Sequence, residues 1–267
     1  MENGMSRASF SLPGAIDVPS EASWDDLVLP DDCIQSLHEY ITWVTHRDQV
    51  EHEWQGRVTG GPIALFSGPP GTGKTLAGRV LGNVLELDVY RADLGLLLSR
   101  YIGETEKNLN ALFDAVAHEP MLLLFDEADS LLGKRSEVSD ADDRYVNLQA
   151  NYLMSRLERH IGPCVLTSNS KERIDPGFLR RLQFVIDFPL PDVPARSRLW
   201  RRYLPARAPI DRGVDTDDLA AEFVLTGGQI RNAALHAAFL AAAESSSITR
   251  KHITSAVQAE LAKTGRS

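Results

Sequence analysis

Gly68-Pro69-Pro70-Gly71-Thr72-Gly73-Lys74-Thr75 is the stretch whose reading decides the fold. It satisfies the pattern G-x-x-x-x-G-K-[ST], a loop that wraps a phosphate chain. Glycines there let backbone N–H groups curl round an anion with no side chain in the way. Lys74 is placed to reach the outer phosphates and the Thr75 hydroxyl to ligate Mg²⁺, while Leu76 carries the binding segment into the next element. The flanks suit the motif. Ile63-Ala64-Leu65-Phe66 is a short apolar run that reads as a buried strand, and Lys74 to Leu85 reads as a helix whose positive end faces the anion.

Strands and helices alternate outward from this unit. Asp88-Val89-Tyr90 predicts a strand, Thr105 to Ala117 a helix capped by Thr105, and Met121 to Phe125 a strand buried on both faces. Asp143 to Arg159 predicts a helix; Val165-Leu166-Thr167 and Phe184-Val185-Ile186 predict strands. Upstream, Asp31 is placed to cap a helix carrying Ile34, Leu37, Ile41 and Val44 on one face. The pattern is that of an α/β layered sheet with parallel strands. After Pro189-Leu190-Pro191 the chain reads all helical: Ala195 to Tyr203, a short helix after Asp215, a capping box at Thr226–Gln229 opening an Ala-rich helix to Glu244, and a last helix capped by Thr249. The expected organisation is a flexible segment over 1–22, an α/β part over 23–190 and a small helical lid over 191–267, hinged at Pro189 to Pro194.

The chain has 267 residues, 43% hydrophobic, with a net charge of −9. That size supports one large core and a small satellite, and that charge argues against coating nucleic acid or an anionic membrane. The two cysteines, Cys33 and Cys164, have no metal or redox spacing and read as buried apolar residues in a reducing compartment. No stretch reads as a signal peptide or a membrane span, which points to the cytoplasm.

The buried strand at Met121 ends in Asp126-Glu127. Asp126 is placed to hold Mg²⁺ at the carboxyl edge of the sheet, and Glu127 to polarise an attacking water. The alternative for such carboxylates is helix capping, by Asp126 or Asp129; the unpaired charge beside a core strand favours a bound cation. With the phosphate loop, Leu122-Leu123-Leu124-Phe125-Asp126-Glu127, Thr167-Ser168-Asn169 and Asp175-Pro176-Gly177-Phe178-Leu179-Arg180-Arg181 follow in the order of the AAA+ ATPases, and the chain resembles their AAA branch from about Trp24 to Leu261. The resemblance implies an AAA+ module with a helical lid, ATP and Mg²⁺ as nucleotide and metal, and a homo-oligomeric ring, a hexamer in this family. It implies that Asn169 senses the γ-phosphate or positions water, and that Arg180 and Arg181 are arginine fingers reaching a neighbour's site. Their adjacency resembles the microtubule-severing AAA enzymes. Trp24-Asp25-Asp26-Leu27 resembles the lead into the adenine pocket, without the Gly-Gly that usually follows. Gly227-Gly228 resembles the lid turn that lies on the nucleotide, whereas Arg231 is out of register for a lid sensor.

Arg100-Tyr101-Ile102-Gly103-Glu104-Thr105-Glu106 resembles the pore loop of AAA unfoldases, which implies that Tyr101 and Ile102 grip a polypeptide in a central channel while Gly103 lets the loop move. The polar run Gly133 to Arg144 falls where that family has a second pore loop. Residues 126–137, 143–145 and 178–184 are similar to bacterial AAA+ ATPases encoded with phage-tail-like contractile injection systems. The function implied is ATP-driven remodelling, unfolding or threading of a protein substrate or assembly, with nucleic acid and membrane not expected as partners. Two other readings stand beside it: a nucleic-acid-directed motor or loader, and an ATP-switched scaffold without useful turnover.

Overall fold

The computed structural model describes residues 14–18, 22–99, 103–133 and 141–263. In chain order these hold β1 (Ala15–Val18), α1 (Asp31–Asp48), β2 (Ile63–Ser67), α2 (Lys74–Val84), β3 (Asp88–Ala92), α3 (Leu94–Leu97), α4 (Glu104–Ala115), β4 (Met121–Phe125), α5 (Asp129–Leu132), α6 (Ala141–Arg159), β5 (Cys164–Ser168), α7 (Pro176–Leu179), β6 (Phe184–Asp187), α8 (Val193–Tyr203), α9 (Thr216–Glu222), α10 (Gly227–Ala243) and α11 (Arg250–Ala262). The residues expected to grip a substrate, Tyr101 and Ile102, lie outside the described residues, as do 134–140 of the expected second pore loop.

The sheet runs β1-β3-β4-β5-β2-β6. β3, β4, β5, β2 and β6 are parallel, and β1 pairs antiparallel with β3. β2, β4 and β5 are buried at every residue, as their unbroken apolar runs require when both faces are covered. One face packs Leu123, Phe125 and Leu166 against Leu109, Leu112, Leu153 and Leu157 of α4 and α6. The other packs Phe66, Leu122, Leu124 and Val165 against Leu37, Tyr40, Ala77 and Leu81 of α1 and α2. The Tyr40 hydroxyl lies 3.2 Å from Pro62 O and 3.1 Å from Cys164 O, anchoring α1 to the starts of β2 and β5. A third core, built from Leu199, Trp200, Leu219, Ile230, Ala234, Ile253 and Val257, belongs to the C-terminal helices, with Val28 packed against it. The topology sets the site: β2 is flanked by β5 and β6 while its own crossover leads away to β3, so the chain after β2 enters a cleft at the carboxyl edge.

Three local expectations give way. Ala15–Val18 form the edge strand β1 rather than part of a flexible lead-in; backbone pairing to Val89–Ala92 holds them although only two of the four are even half-buried. Pro30, not Asp31, is the N-cap of α1, and Asp31 and Asp32 instead supply negative charge to the first turn. Gly103, not Thr105, caps α4. The Thr105 hydroxyl is fully buried and already engaged, accepting from Ser99 N at 2.9 Å and from Gln149 Nε2 at 2.8 Å.

His160, after α6, is buried with its ring edge-on to Phe113. Burial and the nearby Arg156 push its pKa down from 6.5 to about 4. The unfolded chain therefore binds an extra proton between those values, and stability is lost as pH falls from about 6.5 towards 4. The cost should reach about 2 kcal/mol by pH 5 relative to pH 7.5. Urea unfolding at both pH values measures it, and His160→Gln should remove this part of the slope.

Candidate nucleotide site

β2 ends at Ser67 and the chain turns through the glycine loop into α2. Gly71 and Gly73 have φ of 80° and 105°, where a Cβ is penalised. A Cβ on Gly73, the N-cap of α2, would meet nothing within 4 Å, so space is open in front of the helix N-terminus. A Cβ on Gly71 would stand 2.7 Å from Thr226 Oγ1, because the turn that opens α10 is seated on the loop: Gly228 N donates to Gly71 O at 2.9 Å. Lys74 folds its ammonium back onto Gly68 O at 2.5 Å and Pro69 O at 3.0 Å. Burial lowers its pKa, and the nearby Asp126 and Asp129 oppose that shift.

The ends of β4 and β5 meet this loop through two hydroxyls, those of Thr75 and Thr167. Asp126 Oδ1 accepts from Thr75 Oγ1 at 3.3 Å and from Thr167 Oγ1 at 3.0 Å, and Thr167 Oγ1 accepts from Glu127 N at 3.1 Å. Thr167 is buried, and the sequence offers only its place in Thr167-Ser168-Asn169 as a signal for this role. Glu127 has φ of 56°, the left-handed region that non-glycine residues rarely occupy and that costs of order 1–3 kcal/mol. That turn leaves its carboxylate exposed in a cleft that Asn169 and Asp129 also line. Asn169 N donates to Asp129 Oδ1 at 3.4 Å, and Asp129 is the first residue of α5, whose cap is Ala128. Neither Asp126 nor Asp129 is therefore a helix cap. Arg91 on β3 approaches Asp126 at 3.9 Å, a neighbour the sequence did not suggest.

A cleft of about 230 Å³ extends from the loop to the C-terminal helices. Gly71 to Leu76 form one end; Leu27, Val28, Leu29, Pro189, Pro191 and Leu199 give it apolar walls, and Tyr203, Gly227, Gly228 and Arg231 complete it. The segment after Trp24-Asp25 thus contributes to the cleft without the Gly-Gly of the family pattern. Arg231, out of register by sequence, still faces it. Buried Arg196 donates to Pro191 O at 2.7 Å and Ala220 O at 2.8 Å within the C-terminal part, and Arg202 pairs with Asp26 across the cleft.

Residues 64–190 match the family described as "ATPase family associated with various cellular activities (AAA)". The chain carries an AAA ATPase domain. It is 31% identical to fidgetin-like protein 1 of Xenopus laevis over 182 residues, 66% of this chain and 27% of that protein. It is 30% identical to a cell division cycle protein 48 homolog of Archaeoglobus fulgidus over 210 residues, 77% of this chain and 28% of that protein. The chain thus spans little more than a quarter of the length of these relatives.

In the AAA domain the two adjacent arginines have different surroundings. Arg181 forks onto Glu158 of α6, Nε to Oε1 at 2.5 Å and Nη2 to Oε2 at 2.7 Å, and this hydrogen bonding holds the Glu158 carboxyl below its ordinary range. Arg180 is exposed and has no ion-pair partner among the described residues. Both follow α7 after β5, away from the cleft that holds Lys74, so neither lines the site of its own chain.

Proposed function

We propose that this AAA ATPase hydrolyses ATP at the junctions of a homo-oligomeric ring, a hexamer by family resemblance, and uses the cycle to remodel, unfold or thread a protein. The observation that carries the reading is the contact chain from Thr75 through Asp126 and Thr167 to Glu127, which joins a phosphate loop to a carboxylate held in a strained turn. Gly68, Pro69, Pro70, Gly71, Thr72, Gly73, Lys74, Thr75 and Leu76 bind the phosphates, with Gly228 closing the loop from the lid. Glu127 orients and deprotonates water, and Asn169 positions it from the same cleft. Arg180 and Arg181 act on a neighbour's site. The oxygen donors of Thr75 and Asp126 suit Mg²⁺, which takes few protein ligands and the rest from phosphate and water. When bound, Mg²⁺ would neutralise charge on the phosphates.

The lid over 191–267 moves against the α/β part over 23–190 as nucleotide is exchanged. The sequence similarity to ATPases of contractile injection systems suggests a large protein assembly as the substrate. No described helix is long and apolar enough to cross a membrane.

The test uses a folded protein bearing an unstructured tail. Tyr101→Ala should retain ATP turnover and lose ATP-dependent unfolding of that protein. Turnover stimulated by DNA or RNA but not by unfolded protein would replace this reading with a nucleic-acid motor.

A further inference from the structure

Next to the nucleotide cleft, and sharing its wall at Asp26, Thr75, Leu76, Tyr203 and Arg231, lies a second cleft of about 980 Å³. Five arginines line it: Arg79 from α2, Arg198, Arg201 and Arg202 from α8, and Arg231 from α10. Its single carboxylate, Asp26, is paired with Arg202. The chain as a whole carries −9, so this concentration of one sign runs against the average of its surface.

The arrangement carries an electrostatic cost. Arg198, Arg201 and Arg202 stand at i, i+3 and i+4 on one helix, where like charges destabilise rather than support each other. Arg201 is relieved by Asp217, at 2.7 Å, and Arg202 by Asp26. Arg198 and Arg231 are exposed and have no ion-pair partner among the described residues. Guanidinium groups from three elements, with two left uncompensated, form a fork-shaped donor set that suits an oxyanion such as phosphate. A cleft lined by one sign also concentrates its counterion.

We propose that this cleft is a phosphate subsite beside the nucleotide. The inference rests on the nucleotide reading of the first cleft. There, Lys74 and Thr75 take the 5′ phosphates and the apolar walls take the base, so the sugar lies at the shared wall and opens toward the arginines. The ligand chemistry is a phosphate group beyond the 5′ chain. Its source is either the 2′ or 3′ oxygen of the bound nucleotide or a separate oligophosphate, and the cleft would make the ATPase responsive to such an anion.

Binding to the full chain is measured by calorimetry with ADP, with ADP carrying an added 3′ or 2′ phosphate, and with inorganic tripolyphosphate in the presence of saturating ADP. A nucleotide-borne phosphate should tighten binding over ADP by on the order of tenfold, the worth of a charge-assisted hydrogen bond or two. Arg198→Ala should abolish that gain while leaving ADP affinity unchanged, since Arg198 does not line the nucleotide cleft. If the source is a separate anion, tripolyphosphate should bind alongside ADP, weaken with salt, and be lost in Arg198→Glu. If the added phosphates give no gain and tripolyphosphate does not bind beside ADP, the subsite is overturned. Failure of ADP itself to bind would sink the nucleotide reading instead. Tripolyphosphate binding that Arg198→Glu abolishes would then still support an anion site, and its absence would overturn both.

Discussion

Glu127→Gln is expected to bind ATP as tightly as the wild-type protein and to turn it over about 10²–10⁴-fold more slowly. The backbone explains why the effect should be confined to turnover. Glu127 N donates to Thr167 Oγ1, and its φ of 56° is set by that bond and by Ala128 N donating to Thr167 O at 2.8 Å. Neither bond uses the carboxylate, so the amide keeps the turn and loses only the base. The carboxylate is exposed, so it contributes nothing to packing, and the strain of the turn lies in the backbone that aims it. Nucleotide affinity and single-turnover hydrolysis, measured separately, check the split. Wild-type turnover in Glu127→Gln would remove Glu127 from the chemistry, whereas equal loss of affinity and turnover would mean that the turn itself had collapsed. Lys74→Ala gives the complementary pattern, because its ammonium is held inside the loop by Gly68 O and Pro69 O and is lost to binding first.

The parts of this site that sequence revealed are those where one residue type meets a backbone demand. The phosphate loop is legible because φ of 80° and 105° at Gly71 and Gly73 admit little else. β4 is legible over Met121–Phe125 because a strand covered on both faces must be apolar throughout. The capping box at Thr226 is legible because it needs a hydroxyl and a polar residue three positions on, and the cap at Thr249 because it needs a hydroxyl; the box that His252 completes there was not. What escaped depends on partners distant in sequence. Thr167 joins Asp126 and Glu127 through one hydroxyl, but a threonine ending a β-strand has many roles. β1 is fixed by backbone pairing with β3, and a run of four residues, two of them exposed, is too short to announce it. Thr105 looked like a cap because capping and buried cross-helix bonding draw on the same hydroxyl; Gln149, on a different helix, decides between them. The arginine cleft draws on α2, α8 and α10, and no local pattern connects them.

Arg180→Ala should reduce steady-state turnover by about 10³-fold or more, with nucleotide affinity little changed, if it is the guanidinium that meets a neighbour's phosphates. Arg180 is exposed without an ion-pair partner among the described residues, so its removal leaves nothing unpaired. Arg181 starts from a different position. Its fork onto Glu158 must break before it can reach another subunit, and with both partners about one-third exposed that bond contributes about 1 kcal/mol or less. Arg181→Ala should therefore give a smaller kinetic loss, and Glu158→Gln should change turnover only if Glu158 aims Arg181 in the assembled ring. The decisive measurement mixes two inactive proteins. Glu127→Gln has a dead site and intact arginines; Arg180→Ala has an intact site and no finger. If the fingers act across subunits, mixed rings contain junctions with both functions, and activity should return with a concentration dependence set by assembly. A mixture as inactive as its components, together with a wild-type rate independent of protein concentration, would confine the reaction to one chain. The two arginines would then be a surface pair, one of them held by Glu158, and the ring would have to be argued from other evidence.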